Sequence, residues 1–133
     1  MKDWIGAANF SYALLANTRI VGVDLRRVNL RRANLKGADL AQTDFRDANL
    51  MEADMSGARL ISAQLDGANV KGANLMNANL IFAKVSGVDW LTSSGAIIEA
   101  NKWEVIESEQ RLSNIPVTTK VYTIHRKKNT HGK

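Results

Sequence analysis

The chain has 133 residues, 45% hydrophobic and 23% charged, with 18 Lys and Arg against 13 Asp and Glu for a formal charge of +5. This composition predicts one modest folded core and excludes a disordered polyelectrolyte. No apolar run approaches the ~18 residues of a membrane span. The absence of cysteine excludes disulfides, thiolate metal sites and thiol nucleophiles, and it suits a cytoplasmic location. The start, Met1-Lys2-Asp3-Trp4-Ile5, carries an early acid and no apolar stretch, so no cleaved secretory signal is expected.

From Phe10 onward the sequence repeats every five residues. Phe10, Leu15, Ile20, Leu25, Leu30, Leu35, Leu40, Phe45, Leu50, Met55, Leu60, Leu65, Val70, Leu75, Leu80, Val85 and Trp90 are 17 apolar residues without an exception. At a background of 45% this has a chance of about one in a million. Two positions before each centre the residue is small: twelve Ala, the rest Val or Thr. Between the two sits a mostly polar residue such as Asn29, Asp39, Asn49 or Asn79.

A period of five fits neither a helix nor a simple strand. Within one unit, however, small-in, polar-out, large-in is the alternation of a short extended segment. The remaining two residues must turn the chain. Gly22, Gly37, Gly57, Gly67, Gly72 and Gly87 share the second of these positions, where a positive φ is expected in some units. Stacked units would bury a continuous column of Leu and Ala.

The units Ala33-Asn34-Leu35-Lys36-Gly37, Ala38-Asp39-Leu40, Ala48-Asn49-Leu50 and Ala73-Asn74-Leu75 resemble the A-(D/N)-L-x-x pattern of the pentapeptide repeat family. The resemblance covers residues 6–92. It implies an all-β solenoid, a right-handed quadrilateral β-helix of about four coils with four units per coil, followed by a short non-repeat C-terminal segment. The expected division is 1–92, repeat and N-terminal cap, and 93–133, C-terminal capping segment and basic tail. Trp4 and Ile5 are expected to close the top and Trp90 the bottom, because solenoid ends need caps.

With four units per coil, residues 20 apart stack. The Asn9-Asn29-Asn49-Asn69 ladder is then structural, its amides pairing between coils or bonding their own backbone in turns. Arg19-Asp39-Arg59 alternates in sign, Arg27 lies by Asp47 and Arg32 by Glu52. Such exposed pairs contribute ~0–1 kcal/mol each.

Two surface features do not follow from the repeat alone. Val21, Ala41, Ile61 and Ile81, followed by Phe82, form an apolar stripe at a position that is polar on other faces, and mark a candidate protein-binding surface unless the C-terminal segment covers it. Arg26, Arg27, Arg31, Arg32, Lys36 and Arg46 form a basic patch on neighbouring corners, suited to phosphates or acidic protein but partly neutralised by Asp47 and Glu52.

Past Thr92 the repeat stops. Residues 93–112 read either as a short helix or turn, capped by Ser93 or Ser94 and laying Trp103 over the last coil, or as a strand around Trp103-Glu104-Val105; the former is favoured. Pro116 breaks the chain, Val117 to Ile124 reads as a strand that caps the terminal edge or lies along the stripe, and the basic tail from His125 to Lys133 is expected to fray.

No catalytic residues, cofactor or metal site are expected. His125 and His131 lie in the tail, and no Ser/His/Asp set, phosphate loop or dinucleotide fingerprint is present. The expected function is a non-enzymatic protein–protein interaction module or regulatory scaffold, its partner another protein or a second copy. The alternatives are electrostatic binding to nucleic acid or an anionic surface, and the DNA-mimicking, topoisomerase-interacting role that the quinolone-resistance branch of the family implies. The basic charge disfavours the last.

Overall fold

The computed structural model describes residues 8–87, 89–111, 114 and 118–128. The polar residue of each five-residue unit makes a parallel bridge to the one 20 positions later. Four ladders result: Asn9-Asn29-Asn49-Asn69, Leu14-Asn34-Asp54-Asn74, Arg19-Asp39-Arg59-Asn79 and Asp24-Asp44-Gln64-Lys84. The architecture is therefore β-helix-like. Its rungs are single bridged residues joined by turns.

At the corners from Phe10 to Leu80, except the one at Ile20, the centre's carbonyl accepts from the N–H three residues on, as in Leu50 to Ala53 at 3.0 Å. The residue before the closing one has a positive φ in every described corner. That combination is the type II turn, which favours glycine at this position. Glycine occupies it at Gly57, but ten other residues, including Arg27, Glu52 and Phe82, adopt the same left-handed conformation near +60°. The positive φ expected for some units thus holds at each described corner, whatever the side chain.

The polar residue locks the turn from the outside. Asn49 Oδ1 accepts from the Met51 N–H at 3.0 Å, and Asn29, Asn34, Asp39 and Asp54 do likewise two residues on. Of the two roles open to the Asn ladders, bonding to their own backbone is the one observed. Short Asx side chains favour this geometry.

The centres and small residues fill the interior. Leu30, Leu35, Leu40, Phe45, Leu50, Met55, Leu60, Leu65, Leu75 and Leu80 are fully buried, with Ala33, Ala38, Ala63 and Ala73 between them. Each such Leu contributes about 1.5–3 kcal/mol on burial. Thr43 takes one of the small positions, and its buried hydroxyl donates to the Ile20 carbonyl. Phe10 departs from the expected core ladder: it stands 44% exposed at the N-terminal end. Trp4 and Ile5, the expected top closure, lie outside the described residues.

The C-terminal segment differs from the sequence expectation. The helix comes earlier: α1 (Trp90–Ser93) starts on the last repeat centre and buries Trp90. Ser93 ends this helix and Ser94 is its C-cap, so neither begins one. Residues 95–97 then extend a ladder, with Ile97 bridging parallel to Asn74. A 3-10 turn (Ala100–Lys102) leads into β1 (Trp103–Arg111), which pairs antiparallel with β2 (Thr118–Arg126). The strand reading of Trp103-Glu104-Val105 is therefore correct and the helical one is not. β-branched Val105 and Ile106 suit the pleat. Trp103 is nevertheless buried in the common core, with the Arg126 guanidinium 5.1 Å from its ring centroid and no described partner for its indole N–H.

β2 caps the terminal edge instead of running along the stripe. Ile124 donates to the Ala83 carbonyl, Val85 to Tyr122 and Phe82 to Ile124, all at 2.7–2.8 Å. His125 and Arg126 belong to this strand, not to a frayed tail; Pro116, Val117 and residues 129–133, with His131, lie outside the described residues.

Candidate functional site

The apolar stripe occupies one column of turns. Ala41 is buried, its single methyl standing between the larger Val21 and Ile61 of the coils on either side. Val21, Ile61 and Ile81 are half-buried, and Ile81 packs against the core. Phe82 is the exposed member, at 51%. In its column Gly22, Gln42 and Ser62 hold the same turn position, so the phenyl ring is what sets this corner apart. It stands T-shaped to the His125 ring, with ring centroids 5.1 Å apart at 82°. His125 is fixed in turn by a 2.8 Å hydrogen bond between Nε2 and the Thr123 hydroxyl. The C-terminal hairpin thus touches the stripe at its last member and leaves much of Phe82 in solvent.

The basic patch spreads over four corners in three columns, and acids accompany it. Arg26 reaches Asp24 at 2.7 Å and Asp44 at 3.7 Å; Arg46 reaches Asp44 at 2.7 Å. Glu52 lies 3.1 Å from Arg32 and 3.8 Å from Arg31. Arg32 also donates to the Tyr12 hydroxyl at 3.2 Å and stands 5.9 Å from that ring's centre. Arg27 lines a shallow cleft with Arg26, Arg46 and Asp47. Lys36 is exposed at the next corner.

Hydrogen bonds from the Arg26 guanidinium and N–H hold the Asp24 carboxyl down at about 2. Burial opposes ionisation of Asp44, but hydrogen bonds from Arg46 outweigh it and keep that carboxyl below the usual range. Asp66, in the same column of turns as Arg46, goes the other way: burial pushes its carboxyl up. The sequence reading missed Asp24 and Asp44 as counter-ions. Their signal was the Asp-x-Arg spacing, which an Asx turn converts into a side-chain pair.

The C-terminal end carries open clefts. One of about 390 Å³ lies where β2 leaves the repeat, bordered by Arg46, Asp66, Lys84 and Lys120. Among the described residues, no three His, Cys, Asp or Glu side chains gather as a metal site, and no helix is long and apolar enough to cross a membrane.

The family model for pentapeptide repeats matches residues 8–47, 29–63 and 53–89. A pentapeptide repeat protein from the Arabidopsis thaliana thylakoid lumen is 39% identical, with a TM-score of 0.59 over 60% of this chain and 55% of that one. A second, from the cyanobacterium Cyanothece 51142, is 24% identical, with a TM-score of 0.53 over 68% of this chain and 54% of that one, and shows the fold alone. The chain thus spans about half the length of each. No curated protein matches. With its five-residue period, its turn at every described unit and a family match across residues 8–89, the chain belongs to the pentapeptide repeat family.

Proposed function

We propose that the chain is a non-enzymatic protein–protein interaction module that presents the Val21-Ile61-Ile81-Phe82 surface to another protein. The observation that carries this reading is Phe82, an aromatic residue half exposed at a left-handed corner where its column otherwise places Gly, Gln or Ser. Both its exposure and its backbone conformation are costly, and a contact surface gives such a residue a use. In its finer form the reading includes a right-handed path of about four coils in residues 1–92, a capping unit in 93–133 and a cytoplasmic setting consistent with the cysteine-free sequence.

Binding to nucleic acid or an anionic surface is the weaker alternative. Arg26, Arg31, Arg32 and Arg46 each have a carboxylate within 4 Å, and an incoming phosphate would have to displace it.

Affinity capture from the native cytosol, analysed by mass spectrometry, tests the proposal. The controls are Ile61→Glu/Ile81→Glu and Phe82→Ser, the latter restoring the residue type of Ser62. A protein retained by the native chain and lost with both variants is expected. Retention unchanged in Phe82→Ser, or recovery of nucleic acid alone, overturns it.

A further inference from the structure

The ladder Asp24-Asp44-Gln64-Lys84 does not stop at the last repeat. Lys84 bridges Thr123 of β2, and Thr123 is in register with Ile106 of β1. The repeat face and the hairpin are therefore one continuous sheet, and β1 is its outer strand. The hydrogen-bond directions follow from alternation. Tyr122 and Ile124 of β2 turn their backbone groups toward the repeat. Val121, Thr123 and His125 must then face β1, and they pair with Ser108, Ile106 and Glu104. The N–H and C=O groups of Val105, Glu107 and Glu109 are left pointing away from the sheet, and no described residue bonds them.

We propose that this free edge of β1 is a docking site for a basic extended segment of a partner protein, which adds to the sheet as its next strand. Unpaired edges are templates for such addition, with backbone bonds giving affinity and alternate side chains giving selectivity. The charge of the edge selects the occupant. β1 carries Glu104, Glu107 and Glu109 against Arg111 alone, and Ile106 is 40% exposed between the acids. A second copy is disfavoured: an antiparallel pairing that uses all three outward residues sets Glu107 against Glu107, and like charges directly opposite are destabilising. The inner edge of β1 shows what the strand accepts. There it holds β2, rich in Thr, Val and Ile, with Lys120 Nζ 3.0 Å from Glu107. This surface is separate from the Phe82 stripe, so either can fail without the other.

The probe is a ten-residue peptide alternating Lys with Thr and Val, titrated into the full chain and followed by amide NMR shifts and hydrogen exchange. The Val105, Glu107 and Glu109 amides should become protected, with little change at Glu104, Ile106 and Ser108. Glu109→Pro removes an outward N–H without breaking a bond to β2, and should weaken binding at least tenfold. Glu104→Lys/Glu109→Lys keeps the strand and should transfer preference to a peptide with Glu in place of Lys. Ile61→Glu/Ile81→Glu should leave the titration unchanged. Absence of binding at millimolar peptide overturns the proposal. So does equal binding by Glu109→Pro, or binding without amide protection, either of which reduces the effect to charge attraction.

Discussion

Lys84 pairs antiparallel with Thr123, whereas the bridges before it on the same face, Asp24 to Asp44, Asp44 to Gln64 and Gln64 to Lys84, are parallel. The reversal ends the ladder with a strand that does not repeat. It also covers the core, since Ile124 beside Thr123 is fully buried and Val85 next to Lys84 is too.

A chain ending at Asn114 loses β2 and with it the bonds from Phe82, Ile124 and Val85. Uncovering the last coil and Trp103 should cost several kcal/mol, given about 1.5–3 kcal/mol for each large side chain returned to water. Thermal melting should show a midpoint lowered by at least 10 °C, and dye binding should report exposed apolar surface. An unchanged midpoint would show that the hairpin does not close the core.

The corners predict opposite effects for two neighbouring substitutions. Gly57 has a φ of +65° with open space where a Cβ would stand, so Gly57→Ala tests conformational strain alone and should cost about 1 kcal/mol. Ser62 holds φ at +59°. Ser62→Gly relieves that strain but loosens the unfolded chain, for a net gain of roughly 0.5 kcal/mol. Denaturant unfolding of the two variants measures both signs.

Acid should weaken the fold through Asp24, Asp44 and Asp54, each held below the ordinary carboxylate range by hydrogen bonds, Asp54 from Ser56. A depressed folded value means stability that is present above the unfolded value of about 4 and lost as pH falls toward 2. For Asp24, half exposed, the contribution is under about 1 kcal/mol. Asp66 has the opposite sign: burial raises its carboxyl, so its ionisation disfavours the folded state as pH rises through its folded value. Asp66→Asn should raise the melting midpoint at pH 7 and leave it unchanged at pH 3. A midpoint equally raised at both values would assign the gain to something other than charge.

Much of the repeat is legible because each unit restates the same instruction, so a single ambiguous residue such as Thr43 or Val28 is outvoted by its column. The C-terminal segment has no such redundancy. Ser93 and Ser94 look like helix starts, yet Trp90, in register with Leu50 and Val70, already begins α1 and places them at its end. Ala96, Ala100 and Trp103 share a helical spacing, but Gly95 at φ +77° turns residues 95–97 back onto the Asn74 ladder first. The stripe was visible as a column of apolar residues. Its grading was not, because how deeply Ala41 sinks depends on the size of the residues 20 positions away on either side. The counter-ions of the basic patch depend on turn geometry that composition alone does not give.

The described backbone bonds between the hairpin and the repeat all fall on Phe82, Ala83 and Val85, while each described parallel bridge within the repeat spans 20 residues. Length along the axis is therefore available only in increments of one whole coil, about 4.8 Å each. Excising residues 41–60 would bring Leu40 to Ile61 in register and leave the junction at Lys84 and Thr123 as it is. Excising five would rotate the cap by one side and offer it a different set of partners. The protein is in this sense a ruler graduated in twenties, and its ends can stay constant while the span between its surfaces changes.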